Sequence, residues 1–430
     1  MADDPVPHTT ADPDYARRIA WLHQARFGLF IHYGLYAIPG RGEWVQFRER
    51  IPRDDYRRLA EQFAPAANCA DQWVQLAVRA GMKYAVLTTK HHDGFCLFPT
   101  DTVDFHIGNF LPGRDLVGEF VEACRRHGLK VGFYLSNIDW GFPGYFEPEA
   151  YPENRDALVQ SLHDQTRELL TRYGKIDVLW YDGAWVAHGK VEVPSIPAFW
   201  RSEELLAMIR ELQPDILVNN RLGLPADLDT PEQHVTASET GRGWESCMTI
   251  GDPGGWGWIR HNPNRKTLPQ LLQNLCLAAA GEGNFLLNIG PMPDGSVDLG
   301  DREPLESIGR WLADHGQAIY GSKRIWPGNV HHSQGIYIGG PDNGAYLCLF
   351  RYSSDRTVLI ELKTPVRTAT LLGVDQPLTV ETGANGKTVL TGFPAAPPHP
   401  AVSVVKLDLA GPAEPFEEPD KAAWIEGKLS

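Results

Sequence analysis

The chain has 430 residues, which is too long for one ordinary domain, so two domains are expected. Its formal net charge of -14 disfavours nucleic acid and anionic membrane surfaces as partners. The sequence holds no apolar run of about 18 residues, the length that predicts a membrane-spanning helix.

Strand-like and helix-like segments alternate along the first three quarters of the chain. Glycines such as Gly81, Gly128 and Gly174 follow predicted helices and mark their ends. The predicted strands cover residues 28–32, 83–90, 130–136, 176–182, 216–220, 234–239 and 284–290. The predicted helices cover residues 71–80, 115–127, 157–173, 203–212, 267–280 and 304–320.

This alternation predicts an α/β fold with a parallel sheet, and the number of units favours a closed barrel over an open sheet. We predict a (β/α)8-like TIM barrel over residues 15–322, irregular because no eighth strand is evident between Glu239 and Thr267. Short alternating runs at 335–338, 345–352, 357–362 and 402–407 predict a small antiparallel β-sandwich over residues 325–411.

Polar residues follow the predicted strands in aromatic surroundings. The clearest case is WYDGAW, where an apolar strand ends at Asp182 and Gly183 begins a loop. An acid beside Trp180 and Trp185 is costly to bury unless it takes part in chemistry, although a lone Asp more often caps the next helix. Aromatic walls also suit the apolar face of a sugar ring, so a sugar site is favoured.

The carboxyl ends of barrel strands open onto one face, so residues distant in sequence are expected to converge there. Two carboxylates about 5 Å apart in such a pocket would cleave a glycosidic bond, one attacking the anomeric carbon and the other protonating the leaving oxygen. The polar and aromatic candidates are His32, Glu43, Trp44, His91, His92, Tyr134, Trp180, Asp182, Arg221, Glu232, Glu239 and Glu245.

Other interpretations of these residues stay open. A metal-dependent barrel hydrolase would use His32, His91 and His92, although neighbouring residues on a strand point to opposite faces, which disfavours one metal taking both His91 and His92. A sugar-binding protein without catalysis is a third hypothesis. Salt bridges are the structural alternatives for two of the acids: Glu43 with Arg41 or Arg48, and Glu245 with Arg242 or Arg260.

Seven motifs that occur in order are RFGLFIHYGLY, EW at residues 43–44, KYAVLTTKHHDGFCLF, WYDG, VNNRLG, WESCMTIGD and NPNRKTLPQLLQNLCLAAAGEGNFLLNIGPMPDGSV. Together they span most of residues 20–320 and resemble the α-L-fucosidases of glycoside hydrolase family 29. The resemblance implies a retaining exo-hydrolase that releases terminal α-L-fucose from glycoconjugates or oligosaccharides through a covalent fucosyl-enzyme. It implies no metal and no cofactor.

The resemblance also implies roles for individual residues. Asp182 matches the family's nucleophile. For the acid/base, Glu232 in DTPEQ fits best, Glu245 in WESC is the rival and Glu239 is a distant third. Fucose binding is implied for His32, Glu43, Trp44, His91, His92, Tyr134 and Arg221, and Trp180 is added as an aromatic neighbour of the nucleophile.

The remaining expectations concern the protein's surroundings. The N-terminal sequence MADDPVPHTTADPDYARR lacks the basic and apolar regions of a signal peptide, and the six cysteines form no C-x-x-C pair. We therefore expect reduced, buried thiols in a cytoplasmic protein. The expected partner is a fucosylated glycan, and self-association into a homo-oligomer is left open.

Overall fold

The computed structural model describes residues 12, 14–325, 331–341, 343–352, 355–383 and 387–414. Internal contacts divide these residues into two compact units. The first contains the described residues up to Leu268 together with Gly283–Arg310, and the second contains Pro269–Glu282 and the described residues from Trp311 onward. The predicted boundaries at 15–322 and 325–411 stay predictions, and most of the N-terminal segment assessed for a signal peptide lies outside the described residues.

A barrel of parallel strands forms the core of the first unit. Its members are β1 (Phe27–Ile31), β2 (Tyr84–Lys90), β3 (Lys130–Ser136), β4 (Val178–Asp182), β5 (Leu217–Val218), β6 (Leu228–Asp229), β7 (Gly243–Thr249) and β8 (Asn284–Ile289). They pair in the order β5-β4-β3-β2-β1-β8-β7-β6. The two end strands meet through one bridge between Asn219 and Leu228, so the barrel is nearly closed and the predicted TIM barrel is confirmed.

Helices precede, connect and follow these strands along the chain. They are α1 (Tyr15–Ala25), α2 (Val45–Arg48), α3 (Arg53–Arg57), α4 (Cys69–Arg79), α5 (Ile107–Phe110), α6 (Leu116–His127), α7 (Pro143–Phe146), α8 (Pro152–Arg172), α9 (Ile196–Trp200), α10 (Ser202–Leu212), α11 (Leu268–Ala280) and α12 (Leu299–His315). No helix in the described part of the chain combines the length and the apolar character needed to cross a membrane.

The predicted strand at residues 234–239 is wrong. That segment is irregular, and the barrel is completed instead by the short β6 and by β7, which the sequence analysis missed. Every residue of β7 is buried, but its sequence GWESCMT includes Glu245 and Ser246 and therefore lacks the apolar run that predicts a buried strand. Strand β7 pairs in parallel with β8 and so fills the place in the barrel for which no strand was predicted.

Alternation along the strands decides which side chains face the barrel interior. Side chains two residues apart lie on the same face, so Asp182 follows Trp180 on the inner face of β4. Trp180 belongs to a buried cluster that also contains Phe30, Tyr134 and Leu286 from other strands. Asp182 is thus the last inward-facing residue of its strand, at the carboxyl end of the barrel.

The second unit contains an antiparallel sheet. Its strands are β9 (His331–His332), β10 (Gly335–Gly339), β11 (Gly344–Leu349), β12 (Val358–Leu359), β13 (Val366–Leu371), β14 (Gln376–Thr382), β15 (Thr388–Thr391) and β16 (Ser403–Leu409). Strand β14 pairs with β13 through its first residues and with β15 through its last, so one continuous sheet curls on itself. Side chains from both ends of the sheet share one core, including Leu347, Ile360 and Val405, and this sandwich-like packing confirms the predicted β-sandwich.

Candidate active site

Asp182 accepts two hydrogen bonds at the carboxyl end of β4. The Tyr134 hydroxyl donates to Oδ2 at 2.9 Å, and Nη1 of Arg221 donates to Oδ1 at 2.7 Å. Strand register brings Tyr134 close, because β3 runs parallel to β4 with Ser136 opposite Asp182. The Asp182 side chain is 15% exposed, so a carboxylate held by a cation remains open to a ligand.

Arg221 joins two acids on one guanidinium group. Its Nη1 donates to Asp182, and its Nη2 donates to Oε2 of Glu232 at 2.8 Å. Its Nε donates to Oγ1 of Thr230 at 3.1 Å, and its Cζ lies 4.7 Å from the centre of the Trp180 ring. Burial opposes the charge, but Asp182 and Glu232 outweigh that effect and raise the pKa of Arg221. The guanidinium therefore stays charged and fixes the two carboxylates beside each other.

Backbone pairing fixes the position of Glu232 on the barrel rim. The residue forms a parallel bridge with Cys247 of β7, where the Cys247 N–H donates to the Pro231 carbonyl at 3.0 Å and the Gln233 N–H donates to the Cys247 carbonyl at 2.9 Å. The Glu232 side chain is 40% exposed. The sequence-predicted pair Asp182 and Glu232 is thus brought together, with Glu232 on the more open side.

Two histidines are held in defined orientations. Nδ1 of His32 lies 2.7 Å from Oδ1 of Asn288, whose amide nitrogen donates to the Trp256 carbonyl, so His32 carries its proton on Nδ1. The Ser136 hydroxyl donates to the Ile138 carbonyl and therefore accepts from Nδ1 of His92 at 2.6 Å. In both rings the Nε2 lone pair is left free to accept a hydrogen bond.

Burial keeps the three site histidines neutral. It lowers the pKa of His32 to about 4, and it lowers the pKa values of His91 and His92 well below the usual range. Nε2 of His92 lies 3.8 Å from Oδ2 of Asp182. Nδ1 of His91 is buried without a hydrogen-bonding partner, and such an orphan polar atom is typical of a binding site without its ligand.

The expectation that His91 and His92 point to opposite faces is wrong. Their ring centres lie 4.1 Å apart. Strand β2 ends at Lys90, and the two histidines lie in the turn after it, where the alternation of an extended strand no longer applies. His91 then stacks on Tyr134, with ring centres 5.6 Å apart and an angle of 6° between the planes.

Glu43 is not a surface ion pair, so that alternative is wrong. Its side chain is buried, and Oε2 accepts hydrogen bonds from the backbone N–H groups of Trp256 and Gly257 at 2.7 and 2.8 Å. Burial raises the pKa of Glu43. The adjacent Trp44 ring lies 5.3 Å from that of His92, which places it at the same end of the barrel.

Glu245 lies at the indole N–H edge of Trp180, whereas Arg221 lies over the face of that ring. The Glu245 side chain is fully buried, and it accepts hydrogen bonds from the Tyr84 hydroxyl at 2.5 Å and the Trp180 indole N–H at 2.6 Å. Tyr84 is the first residue of β2, so Glu245 belongs to the amino-terminal half of the barrel. The predicted pairing of Glu245 with an arginine is wrong, because both of its hydrogen bonds come from neutral groups.

The sequence analysis missed several residues of the site. Asn288 orients His32, and the Trp256 ring lies 5.1 Å from that of His32. Asn288 had a signal, since it is a polar residue near the end of the otherwise apolar run FLLNI. Trp256 had none, because its loop, GDPGGWGW, has no periodic pattern. Arg221 and Trp180 lie where predicted, next to the nucleophile candidate.

The described residues contain no group of three or more His, Cys, Asp and Glu side chains arranged to hold a metal ion. Nδ1 of His32 and Nδ1 of His92 are each engaged by a protein oxygen. The rings around Asp182 instead present nitrogen acceptors and aromatic faces. This donor set suits a ligand with several hydroxyl groups and an apolar face.

Comparisons with known proteins agree with this geometry. The sequence profile of the α-L-fucosidase family matches residues 3–317. Human plasma α-L-fucosidase is 31% identical over 347 residues, covering 73% of this chain and 72% of that protein. Bovine tissue α-L-fucosidase is 28% identical, covering 92% of this chain and 89% of that protein.

Solved structures show the same relationship. α-L-Fucosidase isoenzyme 1 from Paenibacillus thiaminolyticus is 34% identical with a TM-score of 0.82, covering 92% of this chain and 100% of that chain. A family 29 α-L-fucosidase from Bacteroides thetaiotaomicron, trapped as a covalent intermediate, is 26% identical with a TM-score of 0.83, covering 95% and 98%. The chain described here belongs to the α-L-fucosidase family of glycoside hydrolases.

Proposed function

We propose that this enzyme is a retaining exo-α-L-fucosidase in which Asp182 is the nucleophile and Glu232 the acid/base. The observation that carries the proposal is the shared guanidinium, since Arg221 holds an oxygen of each carboxylate at 2.7 and 2.8 Å. Retaining glycosidases need two carboxyl groups roughly 5 Å apart. The covalent intermediate trapped in the Bacteroides relative supports the same two-step route.

In the first step, Oδ2 or Oδ1 of Asp182 attacks the anomeric carbon of fucose. The bond from that carbon to the glycosidic oxygen breaks, its electron pair stays on the leaving oxygen, and Glu232 gives that oxygen a proton. Arg221 and Tyr134 hold Asp182 in place through its two hydrogen bonds until it attacks. The Glu232 side chain is 40% exposed, so an aglycone oxygen can reach it and take its proton.

In the second step, Glu232 acts as the base. It takes a proton from a water molecule, whose oxygen attacks the anomeric carbon and releases Asp182 with the electron pair of the ester bond. Two displacements at one carbon restore the original configuration. The product is therefore fucose with the configuration of the substrate, together with the free aglycone.

Sugar binding is assigned to the surrounding residues. The free Nε2 atoms of His32 and His92 and the unpartnered Nδ1 of His91 would meet sugar hydroxyls. Trp44, Trp180 and Tyr134 supply apolar surface, and Glu43 orients the loop at Trp256. Glu232 is preferred to Glu245 because Arg221 holds Glu232 beside Asp182, whereas Glu245 is fully buried in the amino-terminal half of the barrel. Glu239 is exposed, and no hydrogen bond or ion pair joins it to Arg221 among the described residues.

The experiment follows the configuration of the product. Nuclear magnetic resonance spectra recorded immediately after mixing enzyme with an α-fucoside are expected to contain α-L-fucose before mutarotation. Initial β-L-fucose would refute the retaining mechanism. EDTA is expected to leave the rate unchanged, whereas metal-dependent loss and recovery of activity would favour the hydrolase that uses His32, His91 and His92.

Two further proposals concern organisation and location. We propose a catalytic domain at 15–322 and a β-sandwich domain at 325–411, which limited proteolysis would test. We also propose a cytoplasmic location, which fractionation of the source cells would test. Self-association is open to measurement by light scattering.

A further inference from the structure

A large aromatic side chain stands exposed close to the nucleophile in sequence. Trp185 follows Asp182 by three residues, and 38% of its surface is exposed. The loop that carries it leads from β4, which ends at Asp182, towards β5, which precedes Arg221. The loop therefore borders the open end of the barrel beside the two proposed catalytic carboxylates.

Ring contacts connect Trp185 to the fucose-binding residues. We call Trp44, Trp140, Trp185 and His188 the rim cluster. His188 lies between two of its members, with its ring centre 4.9 Å from that of Trp44 and its Nδ1 3.5 Å from the indole nitrogen of Trp185. Trp44 in turn packs on His92, whose Nε2 is 3.8 Å from Asp182. The contacts are continuous from the nucleophile to the exposed indole.

The backbone of the rim cluster is held in an unfavourable conformation. Ala187 and His188 have φ angles of +46° and +56°, in the left-handed region that non-glycine residues avoid. The Tyr145 hydroxyl oxygen stabilises this turn by accepting from the His188 N–H at 2.9 Å. Strain of this kind is typical of functional sites, where the surrounding structure holds it in place.

The hydrogen bonds around His188 determine its tautomer. Its pKa is lowered to about 4 by burial, so the ring is neutral and carries one N–H. The Trp140 indole N–H, which can act only as a donor, lies 3.1 Å from Nε2. Nε2 must therefore be the acceptor, because the other tautomer would set two N–H groups against each other at that distance and leave a buried indole unpaired.

It follows that Nδ1 of His188 carries the proton. That proton is directed to the Tyr145 hydroxyl oxygen, 3.4 Å away, while the Tyr145 hydroxyl donates to the Trp185 carbonyl at 3.2 Å. The Trp185 indole N–H points at the same Nδ1 from 3.5 Å, so it is turned towards His188. Trp185 thus presents a partly exposed aromatic face at the rim.

We propose that Trp185 binds the aglycone sugar, the residue from which fucose is released. The partly exposed indole ring packs against the apolar face of a pyranose. This inference rests on the proposed α-L-fucosidase activity and deepens it. Trp185 is accordingly a specificity-determining residue that acts on the leaving group and not on fucose.

The test compares a substrate with an aglycone sugar and one without. α-L-Fucosyl fluoride offers only fluoride as leaving group, whereas a fucosylated lactose carries a pyranose there. Trp185→Ala is expected to lower kcat/KM for the oligosaccharide about tenfold and to leave fucosyl fluoride within about twofold. Trp185→Phe keeps a smaller aromatic face, so its loss on the oligosaccharide is expected to be about threefold.

Tyr151→Ala removes another exposed aromatic, 48% exposed at the start of α8, and is the matched control. It is expected to leave both substrates unchanged. Equal losses on both substrates in Trp185→Ala, or no loss on the oligosaccharide, would overturn the inference. If the wild-type enzyme fails to hydrolyse fucosyl fluoride, the proposed function fails as well, and that result is distinct from selective failure of Trp185.

Discussion

Two carboxylates in the same barrel differ in what surrounds them. Asp182 lies at the carboxyl end, with a charged partner in Arg221 and partial exposure. Glu245 lies in the amino-terminal half, is fully buried and is bonded to the neutral donors Tyr84 and Trp180. Trp180 contacts the surroundings of both acids, since Arg221 lies over its ring while its indole N–H donates to Glu245.

The difference separates a reactive acid from a structural one. A nucleophile has to be oriented and accessible, and the Arg221 guanidinium with a nearby opening provides both conditions at Asp182. Burial among neutral donors disfavours the charged form instead, and it raises the pKa of Glu245. We therefore expect Asp182 variants to lose activity and Glu245 variants to lose stability.

The largest expected effect comes from Asp182→Ala. Without the nucleophile, hydrolysis of an aryl fucoside is expected to fall at least about 10³-fold, equivalent to about 4 kcal/mol in the activation barrier. Azide is expected to restore part of the rate by entering the vacated space and forming a fucosyl azide. Asp215→Ala, at an exposed carboxylate, is the control. Near wild-type turnover in Asp182→Ala would remove Asp182 from the mechanism.

The next effect separates Glu232 from Glu245. Glu232→Ala is expected to slow natural fucosides about 10²-fold but aryl fucosides with good leaving groups much less, because those need less protonation. Its stability should change little, since the side chain is 40% exposed. The measurement is kcat/KM across leaving groups of graded pKa. If all substrates lose rate equally, Glu232 does not act as the acid.

Arg221→Lys tests whether the planar guanidinium group contributes to catalysis beyond its positive charge. An ammonium group keeps one positive charge but cannot hold two carboxylates on separate nitrogens of a rigid plane. We expect kcat/KM to fall about tenfold, with azide giving no rescue because Asp182 is still present. Unchanged kinetics would mean that the bidentate geometry contributes nothing and that charge alone is needed.

The fold was predictable to the extent that local patterns were strong. The segments 83–90 and 130–136 read as apolar strands and match β2 and β3 within a residue. Strand β7 was missed because a polar layer inside the barrel interrupts its apolar pattern. Strand β14 was missed because most of its side chains are not buried, so the signal of a half-buried strand is weak.

The candidate site was predictable as a set of residues but not as a geometry. Barrel topology brings strand ends together, and this explains why Asp182, Arg221 and Glu232 were expected to meet. The burial of Glu43 and Glu245 could not be predicted from the sequence, because each has arginines nearby in the sequence that could pair with it. In the structure two of these arginines bind other acids. Arg41 binds Glu49, and Arg242 binds Asp229. Partner choice among neighbouring charges depends on side-chain directions that only the folded chain defines.

The smallest expected effect on activity comes from Glu245→Gln, which is expected to change how the stability of the protein depends on pH. Because the folded state raises the pKa of Glu245, the folded protein retains a proton there that the unfolded chain has lost. Its free energy of unfolding therefore falls as the pH rises above about 4.5, through the window between the two pKa values. Glutamine cannot ionise, so the free energy of unfolding of the variant should lack this contribution to the fall with pH. At low pH the variant is about 1 kcal/mol less stable than the wild type because of an imperfect hydrogen bond.

Urea titrations of both proteins at pH 5 and pH 8 measure the difference between their free energies of unfolding, which should shrink or change sign at pH 8. A hundredfold loss of turnover with unchanged stability would instead make Glu245 the acid/base.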